Sequence, residues 1–205
     1  MLCSVRRTVK NRQTNHPLAH GLTISRMNTF AAAGLEMRDI LFAMNLQEFF
    51  LKQKEAVRSR TRQVVGMLRP EQLTWRPEKD ALTIGEMVRH LWVSEEGVRR
   101  AALEGNFAYY EKRVPEGLRA VVGAPHALEE ELASLERVHR ETLAAVSAFP
   151  IERWDEERVH QKLGFRRKIG IILMGINEHE VHHRAQLMTY LRILGTPVPE
   201  AVQRR

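Results

Sequence analysis

Four stretches of the chain carry apolar residues at helical spacing. From Met44 onward, Leu46, Phe50, Val57, Val64 and Leu68 mark one face of a first helix that ends at Arg69-Pro70. A turn-rich segment follows, with Trp75 and Pro77. Thr83-Ile84-Gly85-Glu86 then has the form of a capping box, in which a hydroxyl and a carboxylate satisfy each other's backbone N–H groups at a helix start. The second helix it opens buries Ile84, Met87, Val88, Leu91 and Val98 and runs to Gly105. A third carries Leu128, Leu132, Leu135, Thr142, Val146 and Phe149 and stops before Pro150. A fourth has Ile172, Ile176, Leu187, Leu191 and Leu194, with Gly195 and Pro197 as its stop. No stretch reads as a strand. The expected architecture is all-α, a four-helix bundle over residues 44–205.

The connections differ in weight. Residues 106–125, with Phe107, Tyr109, Tyr110, Pro115 and Gly117, form a long link suited to a pocket wall or to returning the chain along the bundle. Residues 151–167 form a second link containing Trp154. Residues 1–43 show no clear periodicity and are expected to be an extension that is disordered or loosely helical. They resemble an organellar transit segment or, the reading we favour, the product of an upstream start codon, since Met27, Met37 and Met44 offer later starts.

Charge changes the picture little. Residues 1–43 hold six basic side chains against two acidic ones, more than half of the chain's formal charge of +7. The high pI therefore speaks weakly for nucleic-acid binding. Cys3 is the sole cysteine, so no internal disulfide argues for an oxidising compartment. The apolar run from Ile171 to Met174 is far shorter than the ~20 residues of a membrane span. A soluble, cytoplasmic protein is expected.

The chemistry lies in the fourth stretch. His179 and His183 fall in the apolar stripe, filling the two turns between Ile176 and Leu187. Side chains four apart stand above one another, about 6 Å apart along the axis. Two buried imidazoles there would each need a partner in a helix whose backbone groups are already paired, whereas one metal ion would satisfy both. His182 points about 100° away and is read as a flanking residue. His90, bordering the apolar face of the second helix one turn beyond Met87, is the best third ligand. Three imidazoles leave coordination positions open for water or substrate, as in catalytic sites. His139, alone beside the third stripe, is read as a satisfied core or boundary residue.

His179-Glu180-Val181-His182-His183 also matches the H-E-x-x-H pattern of zinc proteases. The extended form of that pattern fails at Gln186 and Thr189, and no strand is expected to hold a peptide. Glu180, about 100° from His179, is read as a surface residue rather than a general base. Glu86 is explained by its cap, although it could also support His90. Gln186 and Tyr190, one and two turns beyond His183, are read as pocket liners. No catalytic base is assigned.

These features together resemble the DinB (DinB/YfiT-like) superfamily. They are a helix opening Thr83-Ile84-Gly85-Glu86 and carrying His90-Leu91, followed by His179 and then His182-His183-Arg184-Ala185-Gln186. The resemblance covers residues 44–199. It departs at Ala185, where the family usually has Gly. It implies a four-helix bundle of down-up-up-down topology that binds a divalent metal ion through three histidines, matching His90, His179 and His183. Zinc, nickel and iron are the candidate ions. It further implies thiol-dependent transferase or isomerase chemistry with low-molecular-weight thiols. For the three-histidine site we expect a metal-dependent transferase, or a hydrolase, acting on a small electrophilic molecule. A metal-binding stress protein without turnover and an interaction module with empty histidines are the other classes. The expected partners are small molecules, with neither nucleic acid nor membrane, and a homodimer is left open.

Overall fold

The computed structural model describes residues 37–198, so most of the expected 1–43 extension, Cys3 included, lies outside the described residues. Six α-helices are described: α1 (Met37–Val65), α2 (Ile84–Glu104), α3 (Ala108–Glu116), α4 (Leu118–Val122), α5 (Leu128–Ala148) and α6 (Ile169–Ile193). A hairpin of β1 (Glu157–His160) and β2 (Phe165–Lys168) precedes α6. The four long helices α1, α2, α5 and α6 are the expected bundle. The first begins at Met37, ahead of Met44.

Helix ends follow the local chemistry. At the start of α2 the Thr83 N–H donates to Glu86 Oε2 at 2.7 Å, while Thr83 Oγ1 accepts from the Glu86 N–H at 3.1 Å. Its end is turned by Gly105 at φ 69°, the left-handed geometry glycine adopts without Cβ strain. Three glutamates, Glu129, Glu130 and Glu131, occupy the first turn of α5, where they oppose the positive end of the helix dipole.

Contacts between helices set their directions. Gln47 of α1 donates to Val146 O of α5 at 2.7 Å, and Arg58 further along α1 donates to the earlier Leu135 O, so the two helices are antiparallel. Lys54 reaches Glu180 of α6 and Val57 O accepts from the later Arg184, so α1 and α6 run parallel. Arg89 and Arg99 of α2 meet Glu131 and Glu141 of α5 in the same order, so α2 and α5 run parallel. The result is down-up-up-down. Because α2 and α5 point the same way, the chain between them must return along the bundle.

That return is more ordered than expected of a link. It contains α3 and α4, with Gly117 and Gly123 at positive φ closing each. A nine-residue helix is too short to display an amphipathic period, and Pro115 reads as a breaker. The expectation of no strand is also corrected. β1 and β2 pair antiparallel, with Glu157 opposite Lys168 and His160 opposite Phe165. These four-residue strands are mostly charged and sit on the surface, so they lack the apolar alternation that marks a half-buried strand.

The bundle interior is layered. One end is an apolar cluster of Val64, Leu68, Ile84, Met87, Leu187 and Leu191. Toward the other, Phe50 packs edge-to-face on Trp154, and Ile169 and Leu173 are buried. The polar layer between them holds Lys54, Arg58, Glu95 and Glu180, and beside these the histidines His90, His179 and His183. Among the described residues, no helix is long and apolar enough to cross a membrane.

Candidate metal centre

His90 comes from α2 and His179 and His183 from α6, antiparallel neighbours whose facing stripes bring the rings together. One ligand atom from each lies within 4.8 Å of the others, and no carboxylate joins them among the described residues. His90 Nε2 and His179 Nε2 are 2.9 Å apart. For two donors on one tetrahedral ion, with bonds of about 2.0–2.1 Å, the separation would be about 3.3 Å. Ring centroids are 4.6, 4.6 and 4.4 Å apart, each pair steeply inclined. His182 is exposed and outside this group, its ring 4.9 Å from that of His183.

The far side of two rings is held. His183 Nδ1 is 2.6 Å from Gln186 Oε1. An amide oxygen only accepts, so Nδ1 carries the proton and the Nε2 lone pair is left bare. His90 Nδ1 is 2.8 Å from Ser94 Oγ, which in turn is 2.7 Å from the Tyr109 hydroxyl of α3. Such supports on the second ring nitrogen fix tautomer and orientation in metal-binding histidines. Burial pushes His90 down to about 2 and His179 down to about 3, and lowers His183 as well. All three rings are neutral at pH 7, the form that ligates a cation. Three neutral nitrogens with convergent lone pairs fit a divalent metal ion.

Glu180 corrects the sequence reading. It is buried, not on the surface, and turns away from His179 toward α1. Its Oε2 accepts from Lys54 Nζ at 2.6 Å and Arg58 Nη2 at 3.1 Å. Glu95 Oε2 of α2 accepts from the same two cations at 2.8 and 2.6 Å. Arg58 Nε and Glu180 Oε1 also lie 3.0 Å apart, without hydrogen-bond alignment. Burial alone would raise the Glu180 carboxyl, but Lys54 and Arg58 outweigh it and hold the group at about 2.

The remaining candidates sort plainly. Glu86 is engaged by its cap. Gln186 does reach the site, through His183. Tyr190 does not line it as expected: it is buried in the apolar cluster, edge-to-face with Trp75 at 5.4 Å. His139 is buried with Nε2 2.7 Å from Glu55 Oε2, a boundary residue with a partner.

Ser94 and the Lys54–Arg58–Glu95–Glu180 quartet were not legible as site residues, and Tyr109 was legible only as part of a 106–125 link suited to a pocket wall. A signal for the quartet existed. Lys54, Arg58 and Thr61 fall in phase with Phe50, Val57 and Val64, and charges inside an apolar stripe are buried only when paired.

Comparison with known proteins bears on the fold and the family. The chain is 23% identical over 154 residues to the uncharacterized protein YjoA of Bacillus subtilis (strain 168), covering 72% of this chain and 90% of that one. The crystal structure of that DinB-like protein superposes with a TM-score of 0.58 at 19% identity, over 73% of this chain and 94% of the other. A DinB-like protein from Bacillus cereus ATCC 10987 superposes with a TM-score of 0.59 at 20% identity, over 74% and 95%. The sequence model of the DinB superfamily matches residues 53–187, a span that runs from α1 past His179 and His183 of α6, and the chain belongs to that superfamily.

Proposed function

We propose that the protein binds one divalent metal ion, zinc, nickel or iron, through His90, His179 and His183, and that it transfers a low-molecular-weight thiol to a small electrophilic molecule in the cytoplasm. The observation carrying this reading is the convergence of three neutral imidazoles, with no carboxylate, from two helices. Bound there, the ion would supply a Lewis acid able to acidify a coordinating thiol or water near neutral pH. The transfer forms a carbon–sulfur bond, breaks the bond to the leaving group and releases the thiol proton. Peptide hydrolysis through the H-E-x-x-H pattern has no support, because the base it requires, Glu180, is engaged by Lys54 and Arg58. Ser94 and Gln186 orient His90 and His183.

Elemental analysis of the purified protein should find about one divalent ion per chain. His183→Ala should lose it, and His182→Ala should keep it. With an aryl halide as electrophile, the metal-loaded protein should consume thiol and His183→Ala should not. A protein that keeps its ion but consumes no thiol would be a metal-binding stress bundle without turnover.

A further inference from the structure

Helix α3 is seated on the site by a contact that only glycine permits. A Cβ on Gly97 of α2 would lie 2.4 Å from Tyr109 Cγ and 2.6 Å from Tyr109 Cβ, so any larger residue at 97 would dislodge this ring. Seated there, Tyr109 places its hydroxyl 2.7 Å from Ser94 Oγ, the support of His90. Arg113, one turn further along α3, lies with Cζ 5.9 Å from the centroid of the Tyr109 ring. Burial is the main cause that lowers His90, His179 and His183, and the Arg113 charge is a lesser one that lowers each further.

Arg113 is exposed, and among the described residues it forms no ion pair. The acid nearest to it in sequence, Glu111, is turned to His160 Nε2 at 3.0 Å. Arg113 and Arg167 both act on the neighbouring phenol of Tyr110. The carboxylate next to His179, Glu180, is matched by Lys54 and Arg58. A divalent ion held by three neutral imidazoles would keep its full double charge. Among the described residues no carboxylate of the cluster offsets that charge, and the Arg113 guanidinium adds to it across Tyr109.

We propose that Arg113 is the anion-recognition residue of this site, and that the ligand it selects is a small molecule carrying a carboxylate or similar anionic group. A guanidinium matches such a group with two parallel N–H donors, and here it lies over the ring of Tyr109, whose hydroxyl meets the support of His90. Tyr109 is then a positioning residue for both His90 and Arg113. This inference rests on the metal reading above but does not require thiol transfer.

The test uses the cobalt(II)-loaded protein, following visible absorption as mercaptoacetate or 2-mercaptoethanol is added, with calorimetry of succinate in parallel. Mercaptoacetate should bind about tenfold tighter than 2-mercaptoethanol, and Arg113→Gln should bring that ratio down by about tenfold at unchanged cobalt content. Arg113→Lys should retain part of the preference. A ratio that Arg113→Gln does not change overturns the inference while leaving thiol binding intact. If neither thiol binds but succinate does, and Arg113→Gln weakens it, the anion site stands and thiol transfer falls. If none of the three binds, both fall.

Discussion

Two polar clusters share helices α2 and α6, back to back. Ser94 and His179 turn toward the three rings, and the next residue on each helix, Glu95 and Glu180, turns toward α1. The ion quartet is electrically closed: Lys54 and Arg58 face Glu95 and Glu180, all four buried. The histidine cluster has no such built-in pairing: three rings that burial keeps neutral meet one another, with His90 Nε2 and His179 Nε2 2.9 Å apart. One cluster has its counter-charges built into the chain, and the other presents donors that suit a cation from outside. The quartet also ties both histidine-bearing helices to α1, which suits it to fixing the distance between His90 and its α6 partners.

The largest contrast should appear when one partner is removed from each cluster. Lys54→Met leaves two buried carboxylates sharing Arg58 and should cost about 3–5 kcal/mol, read as a lower urea midpoint at unchanged slope. Removing a ring from the metal-free histidine cluster should cost far less, because no buried charge is stranded. If Lys54→Met costs under about 1 kcal/mol, the quartet is not closed as drawn.

Proton titration separates the two next. His90 and His179 are held by burial at about 2 and about 3, below the ordinary histidine value of 6.5. Below 6.5 the unfolded chain takes up protons that the folded rings refuse, so stability is present above pH 6.5 and is lost as pH falls toward 3. Glu180, held at about 2 against an ordinary 4.5, contributes stability above 4.5 that is lost only as pH falls toward 2. Between pH 6.5 and 4.5 the histidine cluster responds and Glu180 does not. The urea midpoint of chelator-treated protein should therefore fall from pH 7 to pH 5. The double variant His90→Gln/His179→Gln should flatten that fall in part, since His183 and His139, also lowered by burial, still refuse protons that the unfolded chain takes up. An unchanged slope in the double variant would assign the whole effect elsewhere.

The two clusters also differ in how they could be read from sequence. The bundle was legible because four stripes of regular period need only one common core. The histidines stood out because imidazoles at 179 and 183 sit where the stripe calls for apolar side chains. The quartet was hidden by the habit of assigning charge to solvent. Glu180 points about 100° from His179, and in a bundle that direction meets a third helix rather than water. Nothing local shows that Lys54 of α1 will stand opposite a carboxylate 126 residues away. Tyr109 lay in a link already suited to a pocket wall, but its contact with Ser94 escaped for a different reason. Its place depends on Gly97, and an absent side chain leaves no mark in a hydropathy pattern.

The smallest effect on stability, and a selective one on binding, belongs to Gln186. Its amide oxygen is 2.6 Å from His183 Nδ1, on a half-buried turn of α6. Gln186→Ala removes one hydrogen bond at a site where water can replace it, so the metal-free protein should lose no more than about 1 kcal/mol. Without that acceptor His183 is free to place its proton on Nε2, the nitrogen that faces the other two rings. Metal affinity should then fall about 10- to 100-fold, measured by competition with a chromogenic chelator. Gln186→Glu, which keeps an oxygen acceptor at the same reach, should restore most of it. The corresponding loss in the quartet behaves in the opposite way, with stability falling steeply and metal affinity falling only as far as the helices move apart. If Gln186→Ala keeps wild-type affinity, the bond to His183 is incidental and the two clusters differ less than their geometry suggests.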